Sequence, residues 1–151
     1  MFSRVLIVCI GNICRSPMAA ALFRERSTAS GLHVDSAGLQ ACTGHGVEAT
    51  AQEVLDDNLV PRYEHRACQV TLQQLHWAEL ILVMESTHMR SLFKLAPEVR
   101  GKVCLMGKWR DDMDIADPFR RPKAAFIESY ERLSLCVDDW LPHLGLRGPH
   151  A

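Results

Sequence analysis

One stretch of the chain concentrates reactive side chains: Val8-Cys9-Ile10-Gly11-Asn12-Ile13-Cys14-Arg15-Ser16-Pro17. Gly11 and Asn12 are the residue types best able to adopt unusual backbone angles, so successive N–H groups there can turn inward as an anion-binding nest. Arg15 can add a planar fork matched to two phosphate oxygens. A Cys9 thiolate below such a nest would be stabilised by the N-terminus of a following helix and by Arg15, and would act as a nucleophile. The predicted chemistry is attack on a bound phosphate, with Ile10, Gly11, Asn12, Ile13, Cys14, Arg15 and Ser16 forming the phosphate-binding loop. A blander reading makes Cys9 a small buried hydrophobe and Arg15 a surface cation. That suffices for an isolated cysteine, but here nucleophile, glycine, asparagine, arginine, hydroxyl and proline fall within one run of nine residues.

The elements around this run must position it. Arg4 to Cys9 is a β-branched, apolar run that predicts a strand buried on both faces. Ser16 as N-cap and Pro17 at the first helical position predict a helix running to about Ser27. The loop therefore joins the first strand to the first helix, where α/β folds place anions. The alternation continues with a strand at His33 to Ala37 and a helix at Val47 to Asp57. Thr71 and Gln74 suggest a capping box opening a short helix that ends near Trp77. A third strand at Leu80 to Met84, a helix at Ser86 to Leu95 and a fourth strand at Lys102 to Met106 follow. Phe126, Tyr130, Leu133, Val137, Trp140 and Leu144 form an apolar stripe within a closing helix between Pro122 and Leu144. The expectation is a single-domain, three-layer α/β fold with a central four-stranded parallel sheet over residues 1–144, and a flexible tail at 145–151.

Composition narrows the function. The chain has 151 residues, 48% of them hydrophobic, enough for one core. Seventeen basic against eighteen acidic side chains give a net charge of -1, which does not favour a nucleic-acid partner. No apolar run approaches the ~20 residues needed to cross a bilayer. The N-terminus has no secretory pattern, so a cytoplasmic location without membrane insertion is expected. The six cysteines are read as free thiols in a reducing compartment, and the scattered histidines imply no metal site.

Cys9-x5-Arg15-Ser16 near the N-terminus, with a distant Asp117-Pro118-Phe119, resembles the signature of the low-molecular-weight protein tyrosine phosphatases. Asp35-Ser36-Ala37-Gly38 and His65-Arg66-Ala67-Cys68-Gln69 extend the similarity over about Arg4 to Leu144. The resemblance implies a phosphoric monoester hydrolase that uses no cofactor. Cys9 would form the cysteinyl-phosphate, Arg15 would hold the equatorial oxygens and Asp117 would serve as general acid and then base. Spacing alone does not separate Asp117 from Asp111, Asp112 and Asp114; the resemblance selects it, and Pro118 would hold the preceding residue extended. It also implies a supporting network of Asn12, Ser16, Ser36 and His65, in which Ser16 would donate toward the Cys9 thiolate. The bacterial branch it most resembles implies a phosphotyrosine protein substrate, a tyrosine autokinase partner linked to surface polysaccharide production or export, and inorganic phosphate as product.

Other features concern selectivity and rivals. Leu39 and Cys42 would form a small wall where mammalian relatives carry tryptophan, Phe119 an aromatic face for a phenyl ring, and Ile13 a further apolar contact. A related branch that hydrolyses phosphoarginine has threonine at the Ile13 position. Cys14 could trap oxidised Cys9 as a disulfide. An arsenate reductase would need a resolving cysteine pair after the third strand, but none lies between Cys68 and Cys104. A metal-dependent phosphatase built on Asp111 to Asp117, or a non-enzymatic phosphopeptide-binding or redox-sensing module using the same loop, completes the alternatives.

Overall fold

The structure is a computed structural model and describes residues 2–28 and 30–146. Its centre is a sheet of four parallel strands, β1 (Arg4–Cys9), β2 (His33–Gly38), β3 (Leu80–Val83) and β4 (Val103–Leu105), in the order β2-β1-β3-β4. Leu6, Ile7 and Val8 of β1 and every residue of β3 are buried. Burial on both faces explains why these strands read as continuous apolar runs rather than alternating ones. Each Leu, Ile or Val so enclosed contributes about 1.5–3 kcal/mol relative to exposure.

Among the described residues, five α-helices complete the layers: α1 (Arg15–Arg26), α2 (Ala49–Asp57), α3 (Leu72–Trp77), α4 (Ser86–Leu95) and α5 (Lys123–His143). Helices α1, α2 and α5 pack with Val5, Ile7, Leu80 and Leu82 on one face of the sheet. Leu75 of α3 and Leu92 of α4 join Leu6, Val8, Ile81 and Val83 on the other. This is the expected three-layer arrangement. Strand order reverses direction between β1 and β3, which leaves a crevice at their carboxyl ends.

Local sequence explains several boundaries. Thr71 and Gln74 form the reciprocal capping box that starts α3. The α5 stripe is buried along its length, from Phe126 to Trp140 and on to Leu144. Helix α2 starts at Ala49 rather than Val47, because the Glu48 carboxylate accepts from the Thr50 and Ala51 N–H groups and so occupies the cap.

The start of α1 differs from expectation in a way that matters to the site. The helix begins at Arg15, with Cys14 at its N-cap position and no side-chain cap. Ser16 is therefore inside the first turn, and Pro17 occupies the third helical position, where its missing N–H breaks no intrahelical bond. Without a side-chain cap, the first-turn N–H groups remain available to an anion.

Gly145 and Leu146, expected in the tail, instead close α5. Gly145 has φ 81° and its N–H donates to the Pro142 carbonyl, while the Leu146 N–H reaches the Leu141 carbonyl. This double bond pattern satisfies carbonyls that the helix end would otherwise leave open. The remainder of the expected tail, 147–151, lies outside the described residues.

Candidate active site

Cys9 is the last residue of β1, and α1 starts six positions later, so the loop spans the crevice beside β3. Asn12 is its pivot. It has φ 59°, a left-handed conformation that asparagine tolerates better than most side chains. Its fully buried amide makes three hydrogen bonds: Nδ2 donates to Ser16 Oγ at 2.8 Å and Ser36 Oγ at 3.0 Å, and Oδ1 accepts from the Cys68 N–H at 3.0 Å. His65 Nε2 lies 2.7 Å from the Asn12 carbonyl oxygen, which can only accept, so that nitrogen carries a proton. Burial pushes the His65 pKa below its ordinary value, against the opposing effect of this hydrogen bond. The structure thus brings Asn12, Ser16, Ser36 and His65 together.

Ser16 Oγ stands 2.8 Å from Cys9 Sγ. Because the Asn12 amide already donates to this oxygen, the hydroxyl proton is free to point at the sulfur. A thiolate at Cys9 would receive that hydrogen bond. Ser16 is therefore placed for the donor role, although it does not cap α1.

Arg15 is 1% exposed, and its burial is tolerated because Nη1 is fully engaged. That nitrogen donates to Glu85 Oε2 at 2.6 Å and to the Ile115 carbonyl at 2.8 Å. Nη2 lies 3.7 Å from Asp117 Oδ2. Anchoring through Nη1 aims the rest of the guanidinium at the cavity, which is lined by Cys9, Gly11, Arg15, Gln40, Asp117 and Phe119 among others. Ile10, Ile13, Cys14 and Cys42 complete that lining.

Asp117 is separated from its acidic neighbours by position. One carboxylate oxygen, Oδ1, accepts from the Phe119 N–H at 3.0 Å, which leaves Oδ2 toward Arg15. Asp112 and Asp114 line a different cleft with Ser86 and Lys108. Phe119 is 41% exposed at the cavity mouth, with the Arg120 guanidinium 5.3 Å from its ring centroid, and its exposed surface can meet another aromatic group.

Leu39 is not part of the wall. The chain after β2 continues alongside the loop, with N–H groups of Leu39, Gln40 and Cys42 bonded to the carbonyls of Cys9, Ile10 and Gly11. The turn after β2 packs the half-buried Leu39 against the core beside α3 and α4, and presents Gln40 and Cys42 to the cavity. Gly38 is needed at the close approach, since a Cβ there would collide with the Ile10 carbonyl oxygen. Ile13 lines the cavity and also packs against the core, so it serves both faces.

Cys14 is buried at the cavity wall. Burial pushes its thiol well above the ordinary range, and the nearby Asp117 and Glu48 charges add to the effect. All six cysteines are unbridged. Among the described residues, no group of three or more His, Cys, Asp or Glu side chains is arranged to hold a metal ion, and no helix is long and apolar enough to cross a membrane.

Sequence reasoning missed Glu85, Gln40 and the Ile115 carbonyl. Glu85 follows the end of β3 by two residues, at the carboxyl edge of the strand next to β1. A carboxylate just beyond a buried strand was the available signal, but its use required knowing that β1 and β3 are neighbours.

Comparison with known proteins agrees with this geometry. Residues 4–147 match the family described as low molecular weight phosphotyrosine protein phosphatase. The chain is 38% identical over 143 residues to the low molecular weight protein-tyrosine-phosphatase Etp of Escherichia coli K12, covering 95% of both proteins. It superimposes with TM-score 0.90 and 35% identity on the tyrosine phosphatase Wzb of Escherichia coli K30 in complex with sulphate, covering 96% of this chain and all of that one. The YwlE arginine phosphatase of Geobacillus stearothermophilus is also similar, with TM-score 0.89 and 33% identity over 96% of this chain and 94% of that one. With a cysteine, an arginine and an aspartate gathered around one cavity, the chain belongs to the low-molecular-weight protein-tyrosine-phosphatase family.

Proposed function

We propose that the protein hydrolyses phosphotyrosine in proteins through a cysteinyl-phosphate, with Cys9 as nucleophile, Arg15 as phosphate clamp and Asp117 as general acid and base. The observation that carries this reading is that these three side chains line one cavity, while Asp112 and Asp114 face another. In the first step Cys9 Sγ forms a bond to phosphorus as the bond from phosphorus to the phenolic oxygen breaks, and Asp117 gives that oxygen its proton. Arg15 and the loop N–H groups stabilise the equatorial oxygens as charge develops. In the second step water attacks phosphorus and passes a proton to Asp117. The phosphorus–sulfur bond breaks, and inorganic phosphate leaves with the Cys9 thiolate restored. The Ser16 hydroxyl, 2.8 Å from Cys9 Sγ, supports the thiolate at both ends of this cycle.

Phe119 at the mouth favours an aromatic substrate side chain. The resemblance to bacterial relatives supports a cytoplasmic enzyme that reverses a tyrosine autokinase in surface polysaccharide production or export. Supporting roles go to Asn12, Ser36 and His65, and Cys14 is assigned as the thiol that traps oxidised Cys9.

The test is single-turnover trapping with a phosphotyrosine peptide, followed by acid quench and mass spectrometry. A phosphate on Cys9, absent in a folded Cys9→Ser that still binds vanadate, is the expected result. Arg15→Lys should lose most activity, because an ammonium cannot reproduce the two-pronged contact. Turnover in Cys9→Ser, or near-normal kinetics in Arg15→Lys, would overturn the respective assignment.

A further inference from the structure

Glu85 sits at the N-cap position of α4, yet its side chain makes no cap to its own helix. It turns instead to Arg15, accepting from Nη1 at 2.6 Å. His88, three residues on and 2% exposed, brings Nε2 to 3.4 Å from the same oxygen, Glu85 Oε2. Its other ring nitrogen, Nδ1, is buried and has no hydrogen-bond partner among the described residues. A buried imidazole with one nitrogen 3.4 Å from a carboxylate oxygen and the other beside nothing polar is costly, and packing alone would be served better by an apolar side chain.

The ring's surroundings select one protonation state. With the proton on Nδ1, a buried donor would be orphaned and the Nε2 lone pair would oppose the carboxylate. With the proton on Nε2, the N–H lies on the nitrogen near Glu85 and the buried, unpartnered Nδ1 is only an acceptor, which is the cheaper arrangement. The imidazolium would orphan the same donor and set a second cation near Arg15. Arg15, Glu85, Asp114 and Asp117 are the charged groups around the ring; burial and Arg15 push its pKa down, while the three carboxylates oppose.

We propose that His88 is a positioning residue for the catalytic arginine: as a neutral imidazole protonated on Nε2, it holds Glu85 Oε2 in the orientation that anchors Arg15. The proposal rests on Arg15 as the phosphate clamp. At 3.4 Å the contact is electrostatic rather than a tight hydrogen bond, so its effect is on orientation. Small displacements of a positioned group are enough to change rate by large factors. His88 touches neither substrate nor nucleophile and acts through Glu85.

Three measurements test this. Nitrogen-15 NMR of the parent protein should find His88 neutral and protonated on Nε2 between about pH 6 and 8; an Nδ1–H tautomer or an imidazolium in that range would overturn the proposal even if no variant folds. His88→Gln, whose amide nitrogen overlays Nε2, should keep kcat/KM near the parent value, whereas His88→Asn, which stops short of Glu85, should lose about tenfold or more. Equal effects of the two in folded proteins would count against it. In the Glu85→Gln background the cost of His88→Asn should vanish, and an undiminished cost would show that His88 does not act through Glu85. Arg15→Lys is measured alongside: if it stays active the clamp reading fails, while the tautomer and the Glu85 cycle still report on His88 alone.

Discussion

Asp117 Oδ2 lies 3.7 Å from Arg15 Nη2, while the other oxygen of the same carboxylate is held by the Phe119 N–H. One oxygen thus fixes the side chain to its own turn and the other faces the cavity beside the guanidinium. A general acid at this position should matter most when the leaving group is poor. Asp117→Ala is expected to lower kcat by roughly 10²–10³ for phenyl phosphates, with a smaller loss as the leaving phenol becomes more acidic. Asp114→Ala should show neither effect, since Asp114 lines the cleft with Ser86 and Lys108. A leaving-group series on both variants checks this, and the reverse pattern would assign the proton transfer to Asp114.

Much of this arrangement was legible in local sequence, because strands, caps and stripes are set by near neighbours. The α3 capping box, the bounds of α4 and the buried face of α5 were all readable this way. Three features were not. Ser16 has the residue type of an N-cap, yet it lies in the first turn, where its oxygen accepts from the Asn12 amide and its hydroxyl faces the Cys9 sulfur instead of the helix end. Leu39 and Gln40 exchange roles because the segment after β2 pairs with the loop, and that pairing sets which side chain turns inward. Glu85 joins the site only through the adjacency of β1 and β3, a matter of strand order that periodicity does not encode.

Cys9 and Cys14 share the cavity, which gives oxidation a specific course. Peroxide should convert the Cys9 thiolate to a sulfenic acid, and Cys14 should then displace water to form a disulfide. Burial and the charges of Asp117 and Glu48 keep Cys14 a thiol at neutral pH, so bridge formation should be slow there and quicken from about pH 7 to 9. Phosphate should protect by occupying the loop. Mass spectrometry is expected to find the bridge, and thiol treatment to restore activity in the parent but only partly in Cys14→Ser. Full recovery of Cys14→Ser would leave Cys14 with a packing role.

Stability should fall on mild acidification. His65 and His88 both have pKa values lowered in the folded state, chiefly by burial. In that case the unfolded chain binds protons more readily as pH drops below about 6.5, so the stabilisation present above that value is lost toward the lower folded-state pKa values. Urea midpoints should therefore decrease between about pH 7.5 and 5.5, and His88→Gln should flatten part of the decline. Equal midpoints for the parent at both ends of this range would refute the account.

Ile13 lies at the cavity wall and also packs on the core, so its side chain can affect substrate choice without being free to move. Its apolar surface suits the edge of a phenyl ring. A guanidinium would gain nothing from it, whereas a threonine hydroxyl could accept from a guanidinium N–H or orient a water. The similarity to an arginine phosphatase makes this the residue at which to separate the two substrates. The ratio of kcat/KM for phosphotyrosine to that for phosphoarginine isolates differential transition-state binding. It should favour phosphotyrosine in the parent and shift toward phosphoarginine in Ile13→Thr. A parent enzyme that prefers phosphoarginine would overturn the substrate assignment. An unchanged ratio in a folded, active Ile13→Thr would instead show that the core contact is what Ile13 provides, and that selection lies with Phe119, Gln40 and Cys42 on the remaining walls.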